Sequence, residues 1–195
     1  LPALLKLAEA GAFESLELDR RTAIWELRKL VAELGDTLHA PAASPRRAQL
    51  GLFDRLSPAE EVLWDYRASL HSTRGHPMLT ARPELTRRKL PPAIELNAMD
   101  DGKRSKYVGL VICRQQPGTA TGVTFYTLED ETGLVNLVVW RDTFERHSVL
   151  ARTALLLGVT GRVQSEDGVV HLIAEKLWDP ELSLRPEGTK TRSFY

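Results

Sequence analysis

From about residue 104 the sequence breaks into five short β-rich runs separated by turn residues: KYVGLVICR (106–114), GVTFYTLED (122–130), GLVNLVVW (133–140), ALLLGVTGRVQ (154–164) and VVHLIAEKL (169–177). Only the link between the third and fourth runs is long. Its sequence, RDTFERHSVLAR, is polar and helix-compatible and suits one short helix. Five strands with a helix between the third and fourth is the order of a five-stranded OB-fold β-barrel. Glu131–Thr132–Gly133 and Glu166–Asp167–Gly168 fit the tight hairpins this order requires. Glycines 109, 158 and 161 fall inside strands, where a small closed barrel coils too sharply to tolerate side chains.

The first hundred residues follow a different period. Leu4, Leu5, Leu7 and Ala8 share a helical face that ends at Gly11, and Asp19 is a fitting N-cap for a helix carrying Ile24, Leu27, Leu30, Val31 and Leu34 up to Gly35. Residues 36–56 form a linker, with DTLHAPAASPRRA at 36–48 lacking any sustained period. Ser57–Pro58 starts a further helix through Val62, Leu63, Tyr66 and Leu70 to about Gly75, within a helical connector at 57–103. The expected organisation is α+β: a helical segment at 1–35, the linker, the connector, a barrel domain at 104–180 and a tail at 181–195.

Charge and chemistry narrow the function. The 195 residues carry 26 Lys+Arg against 26 Asp+Glu, which excludes binding to nucleic acid or anionic lipid by bulk charge. No apolar run approaches the roughly 20 residues of a membrane helix, and no charged-then-apolar leader opens the chain. The single cysteine, Cys113, rules out an intramolecular disulfide or a cysteine-based zinc cluster, and a reducing, cytoplasmic setting is expected. There is no phosphate loop, HExxH or GxSxG, and the five histidines lack ligand spacing. Glu129–Asp130–Glu131 reads as a solvated hairpin turn rather than a metal site. Neither catalytic nor metal-ligating residues are expected.

Single-stranded nucleic acid remains open, because an OB barrel needs only local positive charge and aromatic platforms on one face. Residues 82–106 hold seven cations against four carboxylates. The candidate contacts are Arg104, Lys106, Arg114, Phe125, Tyr126, Trp140, Arg141, Arg162, His171 and Lys176. Phe125 and Tyr126 lie on opposite faces of a strand, so only one can belong to the core. Trp140 reads either as a stacking platform or as a core cap, and the small barrel's need for buried aromatic area favours the core. His171 reads as a base or phosphate contact, or as a satisfied strand histidine.

One apolar island, QLGLF at 49–53, stands alone in polar sequence. Leu50, Leu52 and Phe53 would fill a partner's cleft while Gln49 orients the peptide; alternatively, Leu52 and Phe53 pack back on the helical unit.

The block RQQPGTATGVTFYTLEDETGLVNLVVW (114–140) strongly resembles the OB-fold of C-family bacterial DNA polymerases, particularly their error-prone branch. The resemblance continues through FERHSVLARTALLLGVTGRVQSEDGVVHLIAEKL, and TRSFY at the end is similar to the family's Ser-Arg-Asp-Phe-type terminus, with Ser193 in place of Asp. Upstream, LAEAGAFESLELDRRTAIWEL looks like the last part of the family's helix-hairpin-helix region, and DYRASLHSTRGHPM like the segment leading to the barrel.

The resemblance implies that the chain is the non-catalytic C-terminal region of a larger polymerase, cut inside a helical element. The metal-binding carboxylates of the parent would lie upstream, so Mg2+ is expected there and no cofactor here. It further implies that the barrel holds single-stranded or primer-template DNA in damage-induced mutagenesis and translesion synthesis. QLGLF is similar to the sliding-clamp-binding pentapeptide, with Gly51 in place of the usual Ser or Asp, which makes the clamp an expected partner through Gln49, Leu50, Leu52 and Phe53. Mutagenesis-cassette proteins are further expected partners, and the rival reading makes the barrel chiefly a platform for them.

Overall fold

The structure, a computed structural model, describes residues 2–35, 54–69, 71–117, 122–166, 168–183 and 192–194. QLGLF lies outside them. The chain divides into two compact units, Leu1–Ser72 and Thr73–Tyr195.

The first unit is helical: α1 (Pro2–Glu9), α2 (Arg20–Gly35) and α3 (Pro58–Ser69), with a 3-10 turn at Glu14–Leu16. Gly11 has φ +80°, and a Cβ there would meet Glu14 Oε1 at 2.7 Å, so the turn after α1 requires glycine. Asp19 caps α2 as expected, accepting from the Thr22 N–H at 3.0 Å and the Thr22 hydroxyl at 2.6 Å. A reciprocal capping box opens α3: Ser57 N–H donates to Glu60 Oε2 at 2.8 Å, and Glu60 N–H to Ser57 Oγ at 3.3 Å. Arg20, 2% exposed, donates to Asp65 Oδ1 at 2.5 Å and lies 3.6 Å from Glu14, so one buried guanidinium ties α2 to α3. Leu4, Leu7, Leu30 and Val31 lie on the helices expected for them, and all four are exposed.

In the second unit, α4 (Met78–Arg87) and α5 (Ala93–Leu96) precede β1 (Arg104–Gln115), β2 (Val123–Asp130), β3 (Gly133–Trp140), β4 (Leu156–Glu166) and β5 (Val169–Trp178). β1 pairs with both β2 and β4, β2 with β3, β3 in parallel with β5, and β5 with β4, which closes the barrel. The long link folds as two short helices rather than the single one expected, α6 (Arg141–Arg146) and α7 (Ser148–Thr153), broken at His147. The tail adds a short strand, β6 (Arg192–Phe194), parallel to β1 at Cys113–Gln115.

The strand glycines are where close packing demands them. A Cβ on Gly158 would meet the Trp178 ring at 2.5 Å, and one on Gly161 would collide with the Ile173 carbonyl. The interior is filled by Tyr107, Val111, Tyr126, Leu128, Leu137, Leu157 and Leu172, among others, with Ala151 of α7 and Leu96 of α5 closing the packing. A second cluster lies outside, where Met78, Ala81 and Leu85 of α4 cover Val108 and Leu110 of β1. That cover lies over Val108 and Leu110, while Arg104 and Lys106 at the start of the same strand stay exposed.

Candidate nucleic-acid interface

The strand registers place side chains in lateral rows. Phe125 is opposite Val138, Val138 opposite Ile173, Ile173 opposite Arg162, and Arg162 opposite Arg104, so one outward row crosses all five strands. Two residues along, Thr127, Asn136, His171 and Gln164 form a parallel row. A third, across the β4–β5 bulge, reads Lys176, Thr160, Lys106. Trp140 follows Val138 on the same face of β3 and is 54% exposed, which overturns the core reading of this residue; Phe125 is 37% exposed. The aromatics therefore sit on β2 and β3, and the cations Arg104, Lys106, Arg162 and Lys176 on β1, β4 and β5.

These cations are held lightly. Arg104 Nη2 pairs with Glu175 Oε2 at 2.5 Å across the surface, and Arg162 Nη1 donates to the Gly102 carbonyl at 3.0 Å. An exposed ion pair contributes little and exchanges readily for a phosphate. Arg141, at the start of α6, donates to Glu145 Oε1 at 2.8 Å, and that hydrogen bond raises its pKa above the ordinary guanidinium value. His171 is half-buried, with Asn136 and Gln164 on either side and its Nδ1 enclosed without a hydrogen-bond partner.

Two expected contacts lie inside instead. Arg114 is 3% exposed: its Nε donates to the Ala151 carbonyl at 2.9 Å and its Nη2 to the Ala154 carbonyl, so it caps the C-terminal end of α7, where a cation is favoured. Tyr126, 2% exposed, faces Arg114 across the ladder and donates to the same Ala151 carbonyl at 2.9 Å. The cause is a bulge between Val111 and Cys113, which flips the facing of β1 beyond it and turns Arg114 inward.

The acidic turn is a further correction. Asp130 is 2% exposed, not solvated, and Arg82 of α4 donates to its Oδ2 at 3.0 Å and to both oxygens of Glu131. The Ala93 N–H at the start of α5 donates to the same Oδ2 at 2.8 Å, and Thr132 donates twice to Oδ1. Tyr107 is packed beside the pair; burial first, and the Asp130 charge second, push its pKa well above the ordinary tyrosine value. Sequence reasoning missed Arg82 as the partner because 48 residues separate it from Asp130. It also missed Asn136 and Gln164, although strand alternation puts Asn136 on the face of Trp140.

Among the described residues no group of His, Cys, Asp or Glu is placed to hold a metal ion, and Asp130 and Glu131 are bound to Arg82. Among the same residues no helix is long and apolar enough to cross a membrane.

Comparison with known proteins agrees with the barrel. Residues 108–180 match the tRNA_anti-codon family, an OB-fold nucleic acid binding domain. The chain is 43% identical over 183 residues to the error-prone DNA polymerase of Caulobacter vibrioides, covering 91% of this chain and 16% of that one. It is 42% identical over 193 residues to that of Aromatoleum aromaticum, covering 98% and 18%. Among solved structures, asparaginyl-tRNA synthetase from Pyrococcus horikoshii is similar at a TM-score of 0.39 and 25% identity, over 48% of this chain and 22% of that one. The chain thus spans less than a fifth of the curated relatives it matches, and within that span it is a homologue of the error-prone DNA polymerases that carries an OB-fold nucleic acid binding domain.

Proposed function

We propose that this chain is the template-handling part of an error-prone DNA polymerase, with single-stranded DNA held across the outer face of β2, β3, β5, β4 and β1. The observation that carries this reading is the sorting of barrel aromatics: Tyr107 and Tyr126 are buried, whereas Phe125 and Trp140 stand exposed on the face whose rows lead to Arg104, Lys106, Arg162 and Lys176. Bases stack on aromatics without regard to sequence, and the cations take the phosphates, which suits an enzyme that must accept damaged template. Nucleotidyl transfer, with its Mg2+, belongs to the parent polymerase, and in translesion synthesis this region keeps the strand at hand. Clamp docking through QLGLF is part of the same reading on sequence grounds, since a tether makes rebinding to the primer end intramolecular.

Zero net charge and the acidic 129–131 turn are what favour the rival platform reading, and of that turn Asp130 and Glu131 are bound to Arg82. Titration of labelled oligothymidine against the 195-residue chain at several salt concentrations tests the proposal. Affinity should fall steeply with salt, and Phe125→Ala and Trp140→Ala should each weaken binding by about 1–3 kcal/mol, roughly 5- to 150-fold. No binding at low salt would refute it.

A further inference from the structure

The turn after α4 closes in a complete Schellman motif. Leu90 N–H donates to the Leu85 carbonyl and Lys89 N–H to the Thr86 carbonyl, both at 2.9 Å, and Leu90 and Leu85 are buried in the same cluster. The left-handed position of that motif is the one glycine fills at least cost. Here it is Lys89, at φ +57° and exposed. Three described non-glycine residues have positive φ, Glu17, Lys89 and Glu181, and of them Lys89 lines a groove.

That groove has a volume of about 500 Å³ and runs between the α4–α5 turn and the start of β1. Lys89, Arg104 and Lys106 line it against a single carboxylate, Glu95, with Pro92 and Met99 among its apolar walls. A smaller hollow of about 330 Å³ continues it over Arg104, Lys106 and Thr160, the last two being members of the Lys176 row. Arg104 also ends the row that begins at Phe125. Charge and continuity therefore agree on a polyanion arriving from the barrel face.

We infer that the groove is a second phosphate-binding segment of the single-strand path, in which Lys89 takes the backbone of DNA leaving the barrel over β1. The inference rests on the barrel-face reading above and adds a direction and an exit to it. The row from Phe125 to Arg104 winds round the closed barrel through four inter-strand steps, roughly 19 Å of path. Short oligonucleotides fit on that face alone, and longer ones reach the groove. Strain at Lys89 has the same sense, since a costly backbone conformation persists where its side chain has a task.

The test compares labelled oligothymidines of about 4 and about 12 nucleotides, within the range of OB-fold site sizes, on the full 195-residue chain. Lys89→Gly removes the charge and relieves the backbone. It should raise the melting temperature, weaken the longer probe several-fold, lower its salt slope by roughly 0.7, and leave the shorter probe unchanged. Lys89→Arg should keep the wild-type affinity. If both probes bind but Lys89→Gly changes neither, or weakens both equally, the groove segment is wrong and the barrel face stands. If neither probe binds the wild type, both readings fall.

Discussion

Arg82→Met should destabilise the barrel unit by about 3 kcal/mol, the low end of the cost of removing one partner from a buried ion pair. Arg82 lies 3.0 Å from Asp130 Oδ2, and at an effective dielectric near 20 that contact alone is worth roughly 5 kcal/mol before desolvation. Losing the guanidinium also removes the cost of desolvating it, since its side chain is 18% exposed. Asp130 does not become an orphan, because the Ala93 N–H, the Thr132 N–H and the Thr132 hydroxyl still donate to it. Glu131, at 9% exposure, turns to solvent more easily than Asp130, which is fully enclosed. The residual cost is then one buried carboxylate with hydrogen bonds but no counter-charge.

Urea denaturation followed by hydrogen exchange at β1–β3 peptides measures this in the barrel without interference from the helical unit. The midpoint should fall with m unchanged. Adding Glu131→Gln to the Arg82→Met variant should shift the midpoint little further, because Glu131 has already turned to solvent and the residual cost sits on Asp130. A loss below about 0.5 kcal/mol, the size of an ordinary surface substitution, would show the carboxylates to be solvated and refute the network.

Two pH dependences accompany it. Tyr107 is neutral when protonated and its folded pKa is raised above 10.0, so above about pH 10 the unfolded state binds fewer protons and stability falls as pH rises; Tyr107→Phe should flatten urea midpoints measured between about pH 9 and 11. Asp19 shifts the other way: burial opposes the charge, but hydrogen bonds from the Thr22 hydroxyl and backbone outweigh it and hold the pKa below 3.8. Its stabilisation is present above the unfolded value and lost as pH falls through the folded one. Asp19→Ala should cost α2 about 1 kcal/mol at neutral pH and remove that acid slope, read by hydrogen exchange of α2.

Strand positions were legible because each is bounded by turn residues and each interior glycine marks a close approach. Facing was legible only while period two held. Tyr107 and Val111 point inward and alternation would send Cys113 after them, but the bulge between Val111 and Cys113 delivers Arg114 instead. Nothing local in VICR, residues 111–114, announces a bulge. The acceptors that make a buried arginine tolerable, the Ala151 and Ala154 carbonyls, lie 37 and 40 residues away. Phe125 and Tyr126 were separable as a pair but not assignable, since the choice depends on that same register. The exposed Leu4, Leu7, Leu30 and Val31 show the converse, an apolar helical stripe whose burial local periodicity did not guarantee.

The equality of 26 cations and 26 carboxylates hides an asymmetry of placement. Carboxylates are drawn into structural duties: Asp65 with Arg20 and Asp130 and Glu131 with Arg82 in enclosed pairs, and Glu84 with Arg88 and the Ser183 N–H at the surface. Each of these pairs uses an arginine, whose planar fork suits fixed carboxylate geometry. Lysines take no part in them. Lys89, Lys106 and Lys176 remain as exposed, strongly hydrated point charges beside the exposed rows of β1, β4 and β5. A neutral protein can therefore present a basic path, because Arg20 and Arg82 are committed to enclosed carboxylates while Arg104, Arg162 and these lysines stay at the surface.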